Sequence, residues 1–247
     1  MHDAPQPDPA QGVFETLLVT RGHPVELDAH LQRLARSARE LFGAELPGDM
    51  VEEAIAAARG IELGRLRLDV FPEIPGRMGH TVRAATEDPG IVFPPWERGA
   101  TLHSVATEGW KGAHKWADRG WLEEVEGKLG DEVPLLIDRE GLALEASRAN
   151  VFAVIDGALA TPIADGHILP GIARAATLAL ALELGIDAQE RRLALSELLE
   201  ADEVFLTSSV RGVRPARRID GIDLRRRGRL MERLATELRR RWLGPGA

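Results

Sequence analysis

The sequence predicts an α+β fold, in which strands and helices occur in runs rather than in strict alternation. Three observations lead to this prediction. The chain has 247 residues, 44% of them hydrophobic and 28% charged, which fits one large or two small globular domains with a real core. Short β-type segments are bounded by turns rich in Gly and Pro. Longer segments with apolar residues three and four positions apart indicate amphipathic helices.

Residues 12–108 predict a small α/β domain, preceded by a Pro-rich start over 1–11 that we expect to be flexible. Asp28 is the predicted N-cap of its first helix, and Arg33 flanks the apolar stripe of that helix. The predicted strands of this domain are 13–19, 25–28, 65–71, 80–87 and 100–106. The predicted helices are 28–41 and 48–59.

A polar, glycine-rich stretch from Thr107 to Gly112 predicts a linker, and residues 113–247 predict a larger domain. Two hairpins follow a short helix, and the turn Asp156-Gly157 in the second is the strongest short hairpin signal in the chain. A helix opens after Pro170 and closes at Gly185. The predicted strands of this domain are 133–138, 142–147, 150–155, 158–162 and 202–208.

The composition excludes several classes of protein. The chain has no cysteine, and its seven histidines are scattered without metal-ligand spacing, so we expect no disulfide and no protein metal site. The net charge of −8 argues against a general nucleic-acid binder. Because no apolar run approaches 18 residues and the N-terminus lacks the pattern of a signal peptide, we expect a cytoplasmic protein without membrane contact.

One region differs from the acidic average of the chain. Twelve arginines lie between Arg211 and Arg241. The last part of this region has the period of an amphipathic helix, with Leu230, Leu234, Leu238 and Trp242 on one face. The pattern allows two interpretations: a solvated basic face, or a contact with a phosphate or a polyanion.

Lysine is rare in this chain, and a rare residue type is worth testing for chemistry. Lys111, Lys115 and Lys128 are the only lysines, whereas arginine supplies the remaining basic charge. Lysine, unlike arginine, can become a neutral amine that attacks a carbonyl and forms a Schiff base. Each lysine taken alone also fits an ordinary surface charge.

Several groups together suit one kind of cofactor. They are a lysine, the carboxylate of Glu145 near a strand end, the helix N-terminus after Pro170, the hydroxyls of Ser208 and Ser209, and the outlying Arg33. Pyridoxal phosphate requires an amine for an imine, an acid that keeps the ring nitrogen protonated, and several donors for its phosphate. Sequence spacing alone does not show that these groups converge.

Four ordered segments resemble the motifs of the class IV pyridoxal-phosphate aminotransferase family, also called fold type IV. They are GVFETLLV with LDAHLQRLARSA, LEASRANVFAVIDGALATP, ILPGIARAATL and DEVFLTSSVRGVRPARRIDG. The resemblance runs from about Gly12 to Asp220. It implies a homodimer in which each subunit has a small α/β domain, a larger barrel-like domain and pyridoxal 5'-phosphate between them.

The resemblance also assigns roles to individual residues. Lys115 matches the Schiff-base lysine, with Lys111 as its rival, and Glu145 matches the acid that faces the pyridine nitrogen. Leu169 matches the residue packed on the ring face. The phosphate ligands are matched by Arg33, by the backbone amides of Ile172 and Ala173, and by Ser208 and Ser209.

The resemblance leaves the reaction open. The GVFETL and KWADR segments look closest to 4-amino-4-deoxychorismate lyase, which releases pyruvate and forms p-aminobenzoate for folate. The alternatives are an amino-acid aminotransferase, acting on branched-chain or D-amino acids, and a non-catalytic dimeric binding protein that kept the fold. Many relatives carry a tyrosine near the cofactor ring, but this chain has none. The candidates for substrate binding are Thr16, Arg98 and His103, with Arg65 and Arg67.

Overall fold

The computed structural model describes residues 2–95, 97–225 and 229–244. Its strands are β1 His2–Asp3, β2 Val13–Thr20, β3 His23–Pro24, β4 Leu63–Ile74, β5 Arg77–Thr86, β6 Ala100–Glu108, β7 Val133–Ile137, β8 Ala143–Ala146, β9 Asn150–Ile155, β10 Ala158–Thr161, β11 Ala188–Glu190, β12 Glu203–Ser208, β13 Gly212–Ile219 and β14 Ile222–Asp223. Its α-helices are α1 Leu27–Phe42, α2 Met50–Ala58, α3 Pro89–Val92, α4 Gly120–Leu129, α5 Ile172–Glu183, α6 Leu195–Glu200 and α7 Leu230–Leu243. The α+β prediction is confirmed. No helix within the described ranges is long and apolar enough to cross a bilayer.

The chain divides into two compact units. The smaller unit comprises residues 7–92 and 114–119, and the larger unit comprises residues 1–6, 93–113 and 120–247. The sequence placed residues 93–108 in the N-terminal domain, whereas the structure assigns them to the larger unit. The reason is strand pairing, because β6 pairs in parallel with both β7 and β13 of the larger sheet. The start of the chain also differs from expectation, since β1 pairs with β6.

The smaller unit is an antiparallel sheet of order β3-β2-β4-β5 with one face covered by helices. Side chains alternate across a strand, so Val13, Leu17 and Val19 of β2 share the face that α1 and α2 bury. The opposite face carries polar groups of β4 and β5. The sheet therefore has an apolar side that holds it together and a polar side that can serve a site.

The entry into α1 differs from the sequence prediction. The return strand lies at β3, two residues earlier than expected, and the helix starts at Leu27 with Glu26 as its N-cap. Asp28 therefore lies in the first turn rather than at the cap, where its charge still favours the positive end of the helix dipole. Val25 extends the pairing of β2 and β3 by donating its N–H to the carbonyl of Leu18, and the helix begins two residues later.

The larger unit is built on a sheet with ten strands among the described residues. Eight of them follow the order β11-β10-β9-β12-β13-β6-β7-β8, and the other two are β1, which pairs with β6, and β14, which pairs with β13. The predicted hairpin of β9 and β10 is present, with antiparallel pairing around the Asp156-Gly157 turn. At the centre, β9 and β12 pair antiparallel, and the rings of Phe152 and Phe205 stack at a centroid distance of 5.2 Å. The register of this pair places Asn150 beside Thr207, which later positions the candidate site.

Helix α7 confirms the predicted amphipathic pattern, since Leu234, Leu238 and Trp242 are buried. Its first turn is not capped by its own N-cap residue, Arg229. Instead, the buried carboxylate of Glu203 on β12 accepts the N–H groups of Leu230 and Met231, both at 3.0 Å. A distant carboxylate thus satisfies two of the amides that a helix start leaves without an intrahelical partner.

We expect Glu203→Ala to lower the free energy of unfolding by about 1–3 kcal/mol, because it removes both acceptors from buried helix amides. Thermal unfolding followed by circular dichroism would measure the change. Glu200→Ala is the matched control, because this side chain is exposed. The hydrogen bond that Glu200 accepts from Arg225 goes to its backbone carbonyl, which the substitution keeps. Equal stability of the two variants would contradict the capping role.

Candidate active site

Lys115 belongs to a segment that is fixed to the start of β2 in the smaller unit. Phe14 donates its N–H to the carbonyl of Lys115 at 2.9 Å, and Ala117 donates to the carbonyl of Gly12 at 3.0 Å. Gly12 has a φ of 78°, and a Cβ at this position would lie 1.9 Å from the carbonyl oxygen of Val70. Only glycine therefore allows β2 to begin where it can pair with the lysine segment.

The side chain of Lys115 lies on the polar side of the sheet. Its Nζ is 4.7 Å from the ring centroid of Phe14, a cation–π contact. The guanidinium of Arg67 lies over the same ring at 3.8 Å. Thr16 follows on the same face of β2, because it is two residues from Phe14 and in register with Arg67. This face brings together Lys115 and two of the predicted substrate candidates.

The three lysines have different environments. Lys111 and Lys128 are exposed, and Lys128 donates to Glu124 at 2.6 Å in an ordinary helical ion pair. Lys115 is partly buried. Its neighbour His114 bonds the hydroxyl of Ser37 at 3.0 Å, and burial, only partly opposed by the charge of Glu40, lowers the pKa of His114 below its usual value. The segment around Lys115 is thus anchored by its backbone and by the residue before it.

Arg67 takes part in a network of charges on the same face. Its Nε donates to Asp69 at 2.8 Å, and Nη2 of Arg83 donates to the other oxygen of that carboxylate at 2.8 Å. Burial alone would raise the pKa of Asp69, but the bonds from both arginines hold it below its usual value. Two arginines share one carboxylate here, which leaves the network with net positive charge.

Arg33 is buried, although the sequence placed it beside the apolar stripe of α1. The carboxylate of Glu15 accepts from Nε and Nη2 of Arg33, both at 2.7 Å, and Nδ1 of His30 lies 2.7 Å from the same carboxylate. Burial alone would raise the pKa of Glu15, but the charge of Arg33 and the bonds from His30 and Arg33 lower it to about 2. Because successive residues of β2 point to opposite faces, Glu15 lies on the helix-covered face and Phe14 on the other.

In the larger unit, Glu145 is the centre of a second cluster. It is 6% exposed, and its carboxylate accepts from the indole Nε1 of Trp110 at 2.9 Å and from the backbone N–H of Leu169 at 3.0 Å. Asn150 also donates to Glu145 at 3.4 Å and donates to the carbonyl of Leu169 at 2.9 Å. Hydrogen bonds from Trp110, Leu169 and Asn150 thus hold this buried carboxylate in place.

Asn150 connects Glu145 with the other predicted ligands of this unit. A Cβ at Gly171, the N-cap of α5, would lie 2.0 Å from Oδ1 of Asn150, so the helix start packs directly against this amide. On its other side, Asn150 is in register with Thr207, and Ser208 follows immediately. The structure thus brings the predicted residues of the larger unit to one end of strands β9 and β12. They are Glu145, Leu169, Ile172, Ala173, Ser208 and Ser209.

The two candidate phosphate-binding groups are the start of α5 and the serine turn after β12. The first N–H groups of α5 lack intrahelical partners, and within the described residues no side chain caps this helix start. Ser208 accepts the N–H of Arg211 at 3.3 Å through its Oγ, which forms a tight turn after β12. Amides and hydroxyls at the same end of β9 and β12 suit an anion such as phosphate.

The remaining substrate candidates lie in the larger unit. His103 on β6 is half exposed and bonds Glu132 at 3.1 Å. Arg98 is exposed, and its carbonyl accepts from Arg214 at 3.2 Å. Thr16, Arg65 and Arg67, by contrast, lie in the smaller unit. The sequence grouped these residues in one domain, and the structure separates them.

Sequence reasoning missed Trp110 and Asn150, which both bond Glu145. Asn150 leaves a weak signal, since it is a buried polar residue at the start of an otherwise apolar strand. Trp110 lies in the stretch that the sequence read as a linker and leaves no signal of its own. The site contains a buried carboxylate that accepts hydrogen bonds from neutral donors, and a helix start whose N-cap is a glycine. Both fit a cofactor with a cationic ring and a phosphate.

Trp110→Phe tests whether the indole supports the Glu145 carboxylate. We expect it to lower the free energy of unfolding by about 1.5 kcal/mol, because it keeps the ring but removes a hydrogen bond to a buried charge. Trp121→Phe is the matched control, because the ring centroids of Trp121 and Trp110 are 5.8 Å apart but the indole that donates to Glu145 is that of Trp110. Chemical denaturation of both variants would measure the difference, and an equal loss would refute the assignment.

A possible metal cluster also occurs among the described residues. Single ligand atoms of Asp49, Glu53 and His80 lie within 4.8 Å of one another in the smaller unit. Nε2 of His80 is 3.1 Å from Glu53, and both carboxylates are exposed. A direct hydrogen bond of this kind accounts for the cluster without an ion.

The fold and the chemistry of these groups fit a pyridoxal-phosphate enzyme of fold type IV. A sequence model of the family described as "Amino-transferase class IV" matches residues 12–92 and 121–219. The chain therefore belongs to the class IV aminotransferases, a family that depends on pyridoxal 5'-phosphate.

Individual relatives agree with this membership. A candidate branched-chain-amino-acid aminotransferase from Aquifex aeolicus is 30% identical over 200 residues, which is 79% of this chain and 64% of that protein. The chain thus spans less than two thirds of that relative. A candidate 4-amino-4-deoxychorismate lyase from Legionella pneumophila superposes with a TM-score of 0.82 at 22% identity, covering 94% of this chain and 91% of the other. The pyridoxal-phosphate-bound form of a hypothetical aminotransferase from Mycobacterium tuberculosis gives 0.82 at 24% identity, covering 95% and 89%.

Proposed function

We propose that this protein is a pyridoxal-phosphate enzyme acting on a small amino substrate, and that its activity is that of a 4-amino-4-deoxychorismate lyase. The observation that carries the proposal is the cluster at one end of strands β9 and β12. There the Glu145 carboxylate, the start of α5 and the Ser208-Ser209 turn lie around Asn150. These groups answer the needs of a basic ring nitrogen and of a phosphate within one unit.

The bound cofactor supplies an electron sink for the carbon that bears the substrate nitrogen. The residues of the chain then have separate tasks. Nζ of Lys115 would hold the cofactor, and the same amine would be the base for the proton on that carbon. The Glu145 carboxylate would face the ring nitrogen and favour its protonated form. Ile172 and Ala173 would bind the phosphate through their backbone amides, and Ser208 and Ser209 through their hydroxyls. Arg33, the further ligand that the resemblance assigns, is 5% exposed and held by the Glu15 carboxylate, so the proposal does not depend on it.

The lyase is favoured by the GVFETL and KWADR segments, which look closest to that branch of the family. The overall similarity to the Legionella structure is compatible with it. The missing tyrosine means that another group must lie near the cofactor's ring hydroxyl. In the lyase reaction, pyruvate leaves an enolpyruvyl ether and an aromatic amine remains, so no keto acid acts as an acceptor.

The second candidate is an amino-acid aminotransferase. It is supported by the Aquifex relative, whose name is that of a branched-chain enzyme. In this reaction Lys115 would act as both the base and the acid for the transferred proton, and a 2-keto acid would receive the amino group. The two reactions share the residues above and differ in what the substrate offers as a leaving group.

A single assay separates the two reactions. We expect the protein to release pyruvate from 4-amino-4-deoxychorismate in the absence of any keto acid, measured by coupling to lactate dehydrogenase. Branched-chain or D-amino acids with 2-oxoglutarate form the matched assay for transamination. Amino transfer without release of pyruvate would refute the lyase and support the aminotransferase.

The remaining alternative, a non-catalytic binding protein, predicts a different preparation. An enzyme of this family should purify yellow and lose that colour when borohydride reduces the lysine adduct, whereas a binding module should be colourless. We also expect a homodimer, which light scattering after size-exclusion chromatography would measure.

A further inference from the structure

The Arg-rich region contributes to a pocket that the proposed function does not use. This pocket has a volume of about 280 Å³ and lies within the larger unit. Apolar residues make up part of its lining, namely Phe93, Pro94, Val213 and Ala235. Arg211, from the turn before β13, and Arg239, from α7, also line it. We call it the arginine pocket.

The two arginines of the pocket differ from several of their neighbours. Arg218, Arg240 and Arg241 each pair with a carboxylate of Asp223, Glu237 or Glu183, which neutralises them on the surface. Neither guanidinium of the arginine pocket forms an ion pair with any described residue. Within the part of the chain that the structure describes, the positive charge of these two guanidinium groups therefore has no acidic partner at the pocket.

Arg239 also has an aromatic partner. Its guanidinium carbon lies 4.7 Å from the ring centroid of Phe93, a geometry that holds the side chain at the pocket without neutralising it. Arg214, on β13 beside the pocket, adds to the field. Burial, and then the charge of Arg211, lowers the pKa of Arg214 below its usual value, as expected where positive charges crowd without an acid.

We propose that the arginine pocket binds a small organic anion with a planar apolar body, such as an aromatic carboxylate. Arg211 and Arg239 pair with the carboxylate, and the ring packs against Phe93 and the apolar wall. Ligand sites commonly combine a mostly apolar lining with a few charged groups that fix orientation.

Two other anions fit less well. Inorganic phosphate leaves the apolar wall uncovered, so it gains only the charged contacts. A polyanion needs a continuous row of free cations, whereas Arg218, Arg240 and Arg241 are already paired. This inference does not depend on the proposed reaction, because none of the groups assigned to that reaction supplies a side chain to the pocket.

The test uses the full-length protein with its cofactor bound. Isothermal titration calorimetry would compare benzoate with benzamide, a neutral molecule of the same shape, and with inorganic phosphate. We expect benzoate to bind, its affinity to fall with added salt, and Arg239→Gln to weaken it about tenfold, the value of one charged contact. Arg233→Gln is the matched control, because it removes one exposed charge from the same helix outside the pocket.

A crystal soaked with 4-bromobenzoate would locate the ligand through the anomalous signal of bromine, which we expect beside Phe93. Three results would overturn the proposal: no binding of benzoate, benzoate that binds Arg239→Gln as tightly as the unaltered protein, or bromine found only elsewhere. Phosphate that binds as tightly as benzoate would also overturn it, because the apolar wall would then contribute nothing. None of these outcomes changes the lyase or aminotransferase assay, so the two proposals fail separately.

Discussion

Lys115→Ala should reduce turnover by about 10³–10⁴-fold, because it removes both the amine that holds the cofactor and the base that moves the substrate proton. The variant should also purify colourless after dialysis. A mass spectrum of the borohydride-reduced, digested wild-type protein should carry the cofactor mass on the peptide that contains Lys115. Together, the rate, the colour and the modified peptide test the same amine in three independent ways.

Lys111→Ala is the matched control for this prediction. Lys111 lies four residues away, is exposed, and is the rival lysine in the motif. We expect it to retain turnover and colour within about twofold, as surface substitutions do when they touch no reacting group. If the cofactor mass appears on Lys111, or if Lys115→Ala keeps its colour, the assignment of the amine is wrong.

Local patterns were enough to predict most of the elements. The β9–β10 hairpin follows from the Asp156-Gly157 turn between two apolar strands, and α5 follows from Pro170 before it and Gly185 after it. The amphipathic period of α7 was equally readable. These signals depend on neighbours in the chain, which a sequence displays directly.

Pairing between distant segments was not predictable in this way. Strand β6 was identified as a strand, but its membership of the larger sheet depends on β7 and β13, more than 25 residues away. The expected strand at 25–28 is shorter and earlier, because the start of α1 competes for the same residues. Both differences concern which partner wins, and propensity does not decide that.

The site shows the same division. Residue types and motif order identified Glu145, Ser208 and the start of α5, but the groups that hold Glu145 in place come from a predicted linker and from the start of a strand. Their roles arise only when the chain folds. Glu15 is the instructive omission, because it stands on the same face of β2 as Val13 and Leu17, and a charge on an apolar face requires a buried partner.

Glu15→Gln should lower the free energy of unfolding by about 3–5 kcal/mol, because it leaves the buried charge of Arg33 without its counter-ion. The carboxylate is 1% exposed and receives two hydrogen bonds from Arg33 and one from His30. In a protein of this size, that loss corresponds to a fall in the melting temperature of roughly 10 °C. Glu45→Gln is the matched control, since Glu45 pairs with Arg39 of the same helix but both side chains are largely exposed. We expect that control to change stability by less than about 1 kcal/mol.

The pH dependence gives this prediction its sharpest test. Folding lowers the pKa of Glu15 from its ordinary value of 4.5 to about 2, so the charged form is favoured in the folded state. The stability it contributes is present above pH 4.5 and is lost as the pH falls toward 2, because the unfolded chain then binds the proton first. The difference between the wild type and Glu15→Gln should therefore be constant at neutral pH and shrink across this range. A difference that stays the same down to pH 2 would contradict the prediction. It would mean that the charge of Glu15 does not stabilise the folded state through Arg33.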